Sequence, residues 1–289
     1  AGLRITLVSP ASHTPYSGML PGLVAGHYTF EQTHIDLARL CQWGGVRFIT
    51  AEVTALDPAA RRLSLAGRPD IEYDLVSIDI GSQPELDSVP GAREHAVPVK
   101  PVAGLWQRWQ HLMQRLELSP APDRRRIAVV GGGAGSVELA LAMAHRLAGH
   151  EVEISVWCGA PDILQGYNGG ARKAVRAALA REGVALTLDA RVERVEANRL
   201  RLADGREAPF DELFWCTGAA AAPWIAGSGL PVDERGFLAV TDTLQSTAEP
   251  SVFGAGDIAT QVNHPRPKAG VYAVRQAPVL AHNLRAAVL

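Results

Sequence analysis

Short apolar runs broken by glycine, proline and aspartate recur along this chain. Ile127-Ala128-Val129-Val130 reads as a strand buried on both faces. Gly131-Gly132-Gly133-Ala134-Gly135-Ser136 follows, and Val137-Glu138-Leu139-Ala140-Leu141-Ala142-Met143 opens a helix. Val152, Ile154 and Val156 alternate with polar residues and predict a second strand from Val152 to Trp157. Together these make a βαβ unit. In that setting glycines let a backbone approach a pyrophosphate, and the helix N-terminus stabilises its charge. The competing reading is a helix-packing turn with no ligand. Ser136 stands where the motif has its third glycine, which predicts looser helix–strand packing and not loss of binding.

The same order of elements occurs twice. Residues 46–53 lead through Arg62-Leu63-Ser64-Leu65 to a strand ending at Gly81, and residues 184–192 lead through Arg199-Leu200-Arg201-Leu202 to one ending at Gly218. Each copy reads as strand, small antiparallel meander, strand and glycine turn, with Asp204-Gly205 as the hairpin turn of the second. Two Rossmann-like dinucleotide-binding domains follow, an α/β fold of parallel sheet plus meander. In the first copy the strand matching Val152 to Trp157 is Arg4-Ile5-Thr6-Leu7-Val8. Its glycine loop is expected about twenty residues before the end of that strand, ahead of Ala1. The first domain is therefore expected to be discontinuous and incomplete, in a fragment lacking its first βα unit. Residues 1–98 and 245–289 are assigned to it, and 99–244 to the second domain.

Pro101 suits a first helical position, and Val102, Leu105, Trp106, Trp109, Leu112, Met113 and Leu116 then give one apolar helical face. Ser119-Pro120-Ala121-Pro122 reads as a linker, and Arg124 to Arg126 as a solvated strand entrance. The segment from Gly270 to Val288 predicts a helix bent at Pro278, with Leu280, Leu284, Ala287 and Val288 as its stripe.

Composition narrows the classes. Of 289 residues 47% are hydrophobic and 20% charged, enough for a sizeable core and against disorder. Twenty-eight Lys and Arg against thirty Asp and Glu give a net charge of −2, which argues against nucleic acid as a partner. The cysteines, Cys41, Cys158 and Cys216, form no close pair, so neither a metal site nor a disulfide framework is implied. No apolar run is long enough for a transmembrane segment. A cytoplasmic protein is expected, with peripheral attachment to a membrane open.

Further segments carry a resemblance: Thr14-Pro15-Tyr16-Ser17-Gly18-Met19-Leu20-Pro21-Gly22, Ile78-Asp79-Ile80-Gly81-Ser82, Ser251-Val252-Phe253-Gly254-Ala255-Gly256-Asp257 and Pro267-Lys268-Ala269-Gly270-Val271-Tyr272. With the central glycine turn they resemble the pyridine nucleotide–disulfide oxidoreductase superfamily. The likeness is greatest to its type II NADH dehydrogenase and sulfide:quinone reductase branch. The first segment is similar to one fused to, or encoded beside, selenophosphate synthetase in some bacteria.

The resemblance implies two cofactors, FAD and NAD(P)H. It implies FAD contacts at Ser9, Gly81, Ser82, Gly256, Asp257 and Tyr272, with Asp257 accepting from a ribityl hydroxyl; an Asp N-cap of a helix near Ile258 is the alternative. It implies nicotinamide nucleotide at Gly131, Gly133, Ser136, Thr217 and Gly218. Glu138 matches a position near the nicotinamide, or merely complements the helix dipole. Lys268 adds charge at the flavin edge, or is an exposed loop cation. Lys268 and Glu138 are the catalytic candidates. The strand tip Trp157-Cys158 lacks the usual ribose-binding acid, and Arg172 and Lys173 lie too far along the sequence to decide between NADH and NADPH.

The implied activity is hydride transfer from NAD(P)H to FAD and electron delivery to a quinone or another small acceptor. Cys158, at a strand tip, is the best candidate among the three for an exposed thiol but is still read as structural, while Cys41 and Cys216 read as core. Two alternatives remain: a non-catalytic nucleotide-binding or partner-docking module, and a sulfide- or selenide-oxidising flavoenzyme.

Overall fold

The computed structural model describes residues 2–118 and 125–288, so the expected linker Ser119-Pro120-Ala121-Pro122 and Arg124 lie outside the described residues. Contacts divide the chain into two units. One comprises Ala1–Tyr16, His34–Gln83 and Ala219–Leu289, the other Ser17–Thr33 and Pro84–Gly218. The boundaries expected at 98 and 245 thus fall at 83 and 218, and residues 17–33 join the second unit. The reason is tertiary: Leu23 and Val24 of the short helix Leu20–Val24 are buried, and Val24 enters a core with Leu105, Val137 and Met143.

The second unit is built on one parallel sheet. Its strand order is Ala185–Thr187, Val152–Trp157, Arg125–Val130, Glu212–Trp215 and Val97–Pro98. Ile127 to Val130 are buried on both faces, as their unbroken apolar run requires. The helix Val102–Leu118 buries Val102, Leu105, Trp109, Leu112 and Leu116 against this core. On the sheet Glu212 is a 2% exposed charge, stabilised by Arg108 Nε at 2.7 Å and by Arg115. Its place in an otherwise apolar strand was the only sign of this pair in the sequence.

The first unit holds its parallel strands as pairs: Thr6–Ser9 with Arg47–Thr50, Val76–Ile78 with Val252–Gly254, and Leu238–Val240 with Ala259–Gln261. Phe237, Leu238, Ile225, Val252 and Ile258 are fully buried in its core. The repeat is real in structure. Val53–Asp57, Arg62–Leu65 and Arg68–Glu72 form an antiparallel meander, as do Val192–Glu196, Arg199–Leu202 and Glu207–Pro209. Each has a register shift early in its first strand, at Val53/Ala55 and at Val192/Arg194. Gly205, at φ +86°, turns the second hairpin as expected.

Two expectations are corrected. No helix starts near Ile258; Gly256–Ile258 is a single 3-10 turn capped by Ala255, and the strand Ala259–Gln261 follows because it pairs with Leu238–Val240. The helix Gly270–Val288 contains Pro278, but Ala287 and Val288 of its supposed inner stripe are exposed and only Leu280 joins the core. Cys158 is structural, as expected: it is 2% exposed, packed where Gly132 leaves room. Among the described residues no helix is long and apolar enough to cross a membrane.

Candidate cofactor sites

In the second unit the strand Arg125–Val130 runs into Gly131, at φ +143°, whose N–H donates to Trp157 O at 2.9 Å. A Cβ on Gly131 would sit 3.1 Å from Cys216 Cβ and 3.2 Å from Ser136 Cβ, so the turn admits only glycine. A Cβ on Gly132 would sit 2.2 Å from Cys158 Sγ. At Gly133 and Gly135, in contrast, a Cβ would meet nothing within 4 Å. These two glycines are not needed for the protein's own packing. They leave the N-terminus of the helix Ala134–Arg146 uncovered, and no side chain caps it. Open space before uncapped N–H groups is what a pyrophosphate needs, so the residues fit a dinucleotide.

Ser136 behaves differently from expectation. It is 1% exposed, and its Oγ donates to Gly133 O at 2.7 Å, which ties the turn to the helix. The Glu212–Trp215 strand leads to Thr217 and Gly218, the latter at φ +68° with Glu85 Cβ only 2.8 Å from where its Cβ would be. Glu85 N–H donates to Thr217 O at 3.3 Å. The turn at Gly218 is thus brought beside Gly131 through Cys216, whose N–H donates to Val130 O.

Glu138 lines an open cleft of about 400 Å³ with Pro21, Gly22, His27, Leu141 and His145. Burial against these mostly apolar walls pushes its carboxyl up from the ordinary range. The rings of His27 and His145 lie 4.8 Å apart in the same unit, a pair the sequence gave no reason to connect. Cys216 has its thiol pushed up by burial, which leaves little thiolate.

In the first unit Gly81 and Gly256 both take left-handed backbone, at φ +70° and +72°. Ser82 Oγ donates to Asp257 Oδ2 at 3.0 Å, so these two expected FAD contacts do come together. Gln276 Oε1 accepts the Gly256 N–H at 2.7 Å, an arrangement not foreseen from the sequence. Nothing lies within 4 Å of a Cβ on Gly81, and this open backbone beside a fixed carboxylate fits part of a flavin cradle. Tyr272 lines a polar cleft of about 290 Å³ with Gln261, Arg266, Arg275 and Gln276. Ser9 ends its strand opposite Thr50.

Lys268 is not a free loop cation. Its Nζ donates to Ala259 O at 2.7 Å and to Thr260 Oγ1 at 2.8 Å, and lies 3.9 Å from the Phe237 ring centroid. Burial lowers it to about 8, against the pull of Asp233 and Asp257. Asp233 holds Thr260 Oγ1 in turn, at 2.7 Å. Among the described residues no group of His, Cys, Asp and Glu is arranged to hold a metal ion.

Glycine-lined turns at the ends of parallel strands, repeated in two Rossmann-like units, define a two-domain dinucleotide-binding protein. The chain belongs to the pyridine nucleotide-disulphide oxidoreductase family, which it matches over residues 1–277. It is 28% identical over 261 residues to demethylphylloquinone reductase NdbB of Synechocystis, covering 88% of this chain and 64% of that protein. It is 23% identical to an external alternative NAD(P)H-ubiquinone oxidoreductase of Solanum tuberosum, covering 90% of this chain and 52% of that protein. The chain therefore spans only about half to two thirds of the length of these relatives. In fold it is similar to NDH2 from Plasmodium falciparum in complex with NADH, with a TM-score of 0.80, 17% identity, and 89% and 60% of the two chains covered. The sulfide:quinone oxidoreductase of Aquifex aeolicus superposes with a TM-score of 0.77 at 21% identity, covering 98% and 70%.

Proposed function

We propose that this chain is the two-nucleotide core of an FAD-dependent NAD(P)H oxidoreductase whose electrons pass to a quinone or another small acceptor. The observation that carries the reading is the uncapped N-terminus of the helix Ala134–Arg146 behind open glycines. Family membership and the quinone-reducing relatives named above support it. FAD, when bound, would supply the two-electron centre between nicotinamide and acceptor.

The protein's own part is positioning. Gly131, Gly133 and Gly218 give backbone room to the nicotinamide nucleotide, with Ser136 tying the loop and Thr217 setting the Gly218 turn. Gly81, Gly256 and the Ser82–Asp257 pair would hold FAD, with Ser9 and Tyr272 as its outlying contacts. Lys268 would act on the flavin through the segment it braces and through its charge. Glu138 is read as a nicotinamide-side group whose carboxyl burial pushes above its ordinary range. Peripheral contact with a membrane, from a cytoplasmic location, fits the exposed Val271, Val274 and Val279 on the Gly270–Val288 helix, which carries Arg275 and Arg285 and no acid. The tie to selenophosphate synthetase rests on the Thr14–Gly22 resemblance alone. Burial of Cys41 and Cys158 counts against sulfide or selenide oxidation.

The test is the visible spectrum of the chain after incubation with excess FAD and desalting. Near-stoichiometric flavin, bleached without oxygen by NADH or NADPH, is the expected result. A colourless protein that nevertheless binds nicotinamide nucleotides would instead favour a nucleotide-binding module.

A further inference from the structure

In Rossmann folds an Asp or Glu at the tip of the second strand takes the 2′-hydroxyl of NAD and repels a 2′-phosphate. Here that tip is Trp157-Cys158. The Cys158 thiol turns inward, 3.6 Å from Asp162 O and against Gly132, so the usual place of the acid is filled by a buried, uncharged group. Asp162, in the loop that follows, is already held by Arg176 Nη2 at 2.6 Å and Arg172 Nη1 at 3.3 Å. These two arginines, Arg176 foremost, keep its carboxyl below the usual range. Arg172 retains a buried Nε that has no acceptor among the described residues.

Gly159, directly after Cys158, lies against a neighbouring segment. A Cβ on it would stand 3.4 Å from Arg191 Cα and 3.6 Å from Arg191 Cβ. Arg191 is exposed, and its side chain has no ion-pair or hydrogen-bond partner among the described residues. The same segment carries Asp189, whose N–H donates to Ala160 O at 3.0 Å. Around the strand tip the Asp162 carboxylate thus meets two guanidiniums, while Arg191, on the neighbouring segment, keeps its guanidinium unpaired among the described residues.

We infer that this strand tip selects the 2′-phosphorylated nucleotide, NADPH over NADH, with Arg191 as the specificity-determining partner of the 2′-phosphate. A guanidinium offers a planar fork of donors that matches phosphate oxygens. Removal of the strand-tip acid takes away the repulsion that would oppose it. The inference rests on the dinucleotide reading of the second unit.

The experiment separates the two. Titration calorimetry of the full chain with 2′,5′-ADP and with 5′-AMP, without flavin, reads the adenosine end alone. The expected result is 2′,5′-ADP binding about tenfold tighter, the scale of one charge-assisted contact, with a preference that falls as salt rises. Arg191→Ala is expected to bring the two affinities within about twofold. Because Arg191 is exposed, the variant should fold, and an unchanged circular dichroism melt checks it. If 5′-AMP binds as tightly as 2′,5′-ADP and Asp189→Asn weakens it, Asp189 is the ribose acid and the inference is overturned. If neither ligand binds, the dinucleotide reading of this unit fails as well.

Discussion

The second unit sets its glycines with the backbone, whereas the first sets them with side chains. Gly131 and Cys216 are tied to neighbouring strand ends by N–H bonds to Trp157 O and Val130 O, continuations of one five-stranded ladder. In the first unit Ala255 N–H also donates to a neighbouring strand end, Ile78 O at 3.2 Å, but the Gly256 N–H goes to the Gln276 amide and Asp257 accepts from the Ser82 hydroxyl. A ladder shares its load over many bonds, and a side-chain tether can be cut by one substitution. The same kind of nucleotide-facing turn is therefore expected to be robust to polar mutations in one unit and fragile in the other.

The largest effect expected lies beneath the ladder. Arg108→Ala combined with Arg115→Ala leaves the Glu212 carboxylate, 2% exposed, without its cations and should cost about 4 kcal/mol in urea unfolding. Glu212→Leu removes the buried charge itself and should cost roughly 1 kcal/mol or less. Equal losses would mean that the pair, and not the buried charge, sets the energy.

A steric contrast comes next. Gly91→Ala would place Cβ 2.0 Å from the Val195 carbonyl oxygen at φ +80°, a clash with backbone that should cost about 3 kcal/mol. In the first unit the Cβ of Gly254→Ala comes closest to a side-chain end, Leu238 Cδ2 at 2.8 Å, with Ala259 Cβ at 3.5 Å, and repacking there should cost about 1–2 kcal/mol.

Gln276→Ala tests the tether directly. It strips the acceptor from Gly256 N–H and should cost about 1–2 kcal/mol, with weaker retention of FAD on desalting. Ser136→Ala, its counterpart in the other unit, loses the bond to Gly133 O and should cost about 1 kcal/mol, with the nucleotide turn kept by the ladder.

The smallest effect is a slope. Burial holds Lys268 at about 8 in the folded chain against 10.5 unfolded. Between those values the unfolded state binds more protons, so this group makes stability rise with pH across that window. Unfolding of Lys268→Met, followed from pH 7 to 10, should lack that rise. A slope identical to the parent's would show that Lys268 keeps its ordinary titration.

Local pattern made part of this legible. The glycine turn after Val130 and both meanders are written in short-range alternation, which survives in a single sequence, and the structure has them where expected. What could not be read was set by distant contacts. Nothing local tells Val24 to join the second unit, since Leu105, Val137 and Met143 of its core lie far along the chain. The sequence reads Cys158 as structural, and rightly, but what hides it could not be read: Gly132, twenty-six positions earlier, supplies the hollow. Of the site residues, Ser82 and Asp257 come together in a hydrogen bond that no sequence pattern specified. Gln276 and Arg191 carried no motif, and only the folded chain brings them to the turns they serve.

The hidden thiols also make the protein convenient to label. Cys41 and Cys158 are buried, and Cys216 is held in its protonated form by burial. Maleimide dyes should therefore ignore the native cysteines and react with new ones placed on exposed positions such as Arg68 and Lys173. A fluorescence energy-transfer pair on those two sites, one in each unit, would then read any change in their separation as nucleotide is added, with no native cysteine replaced.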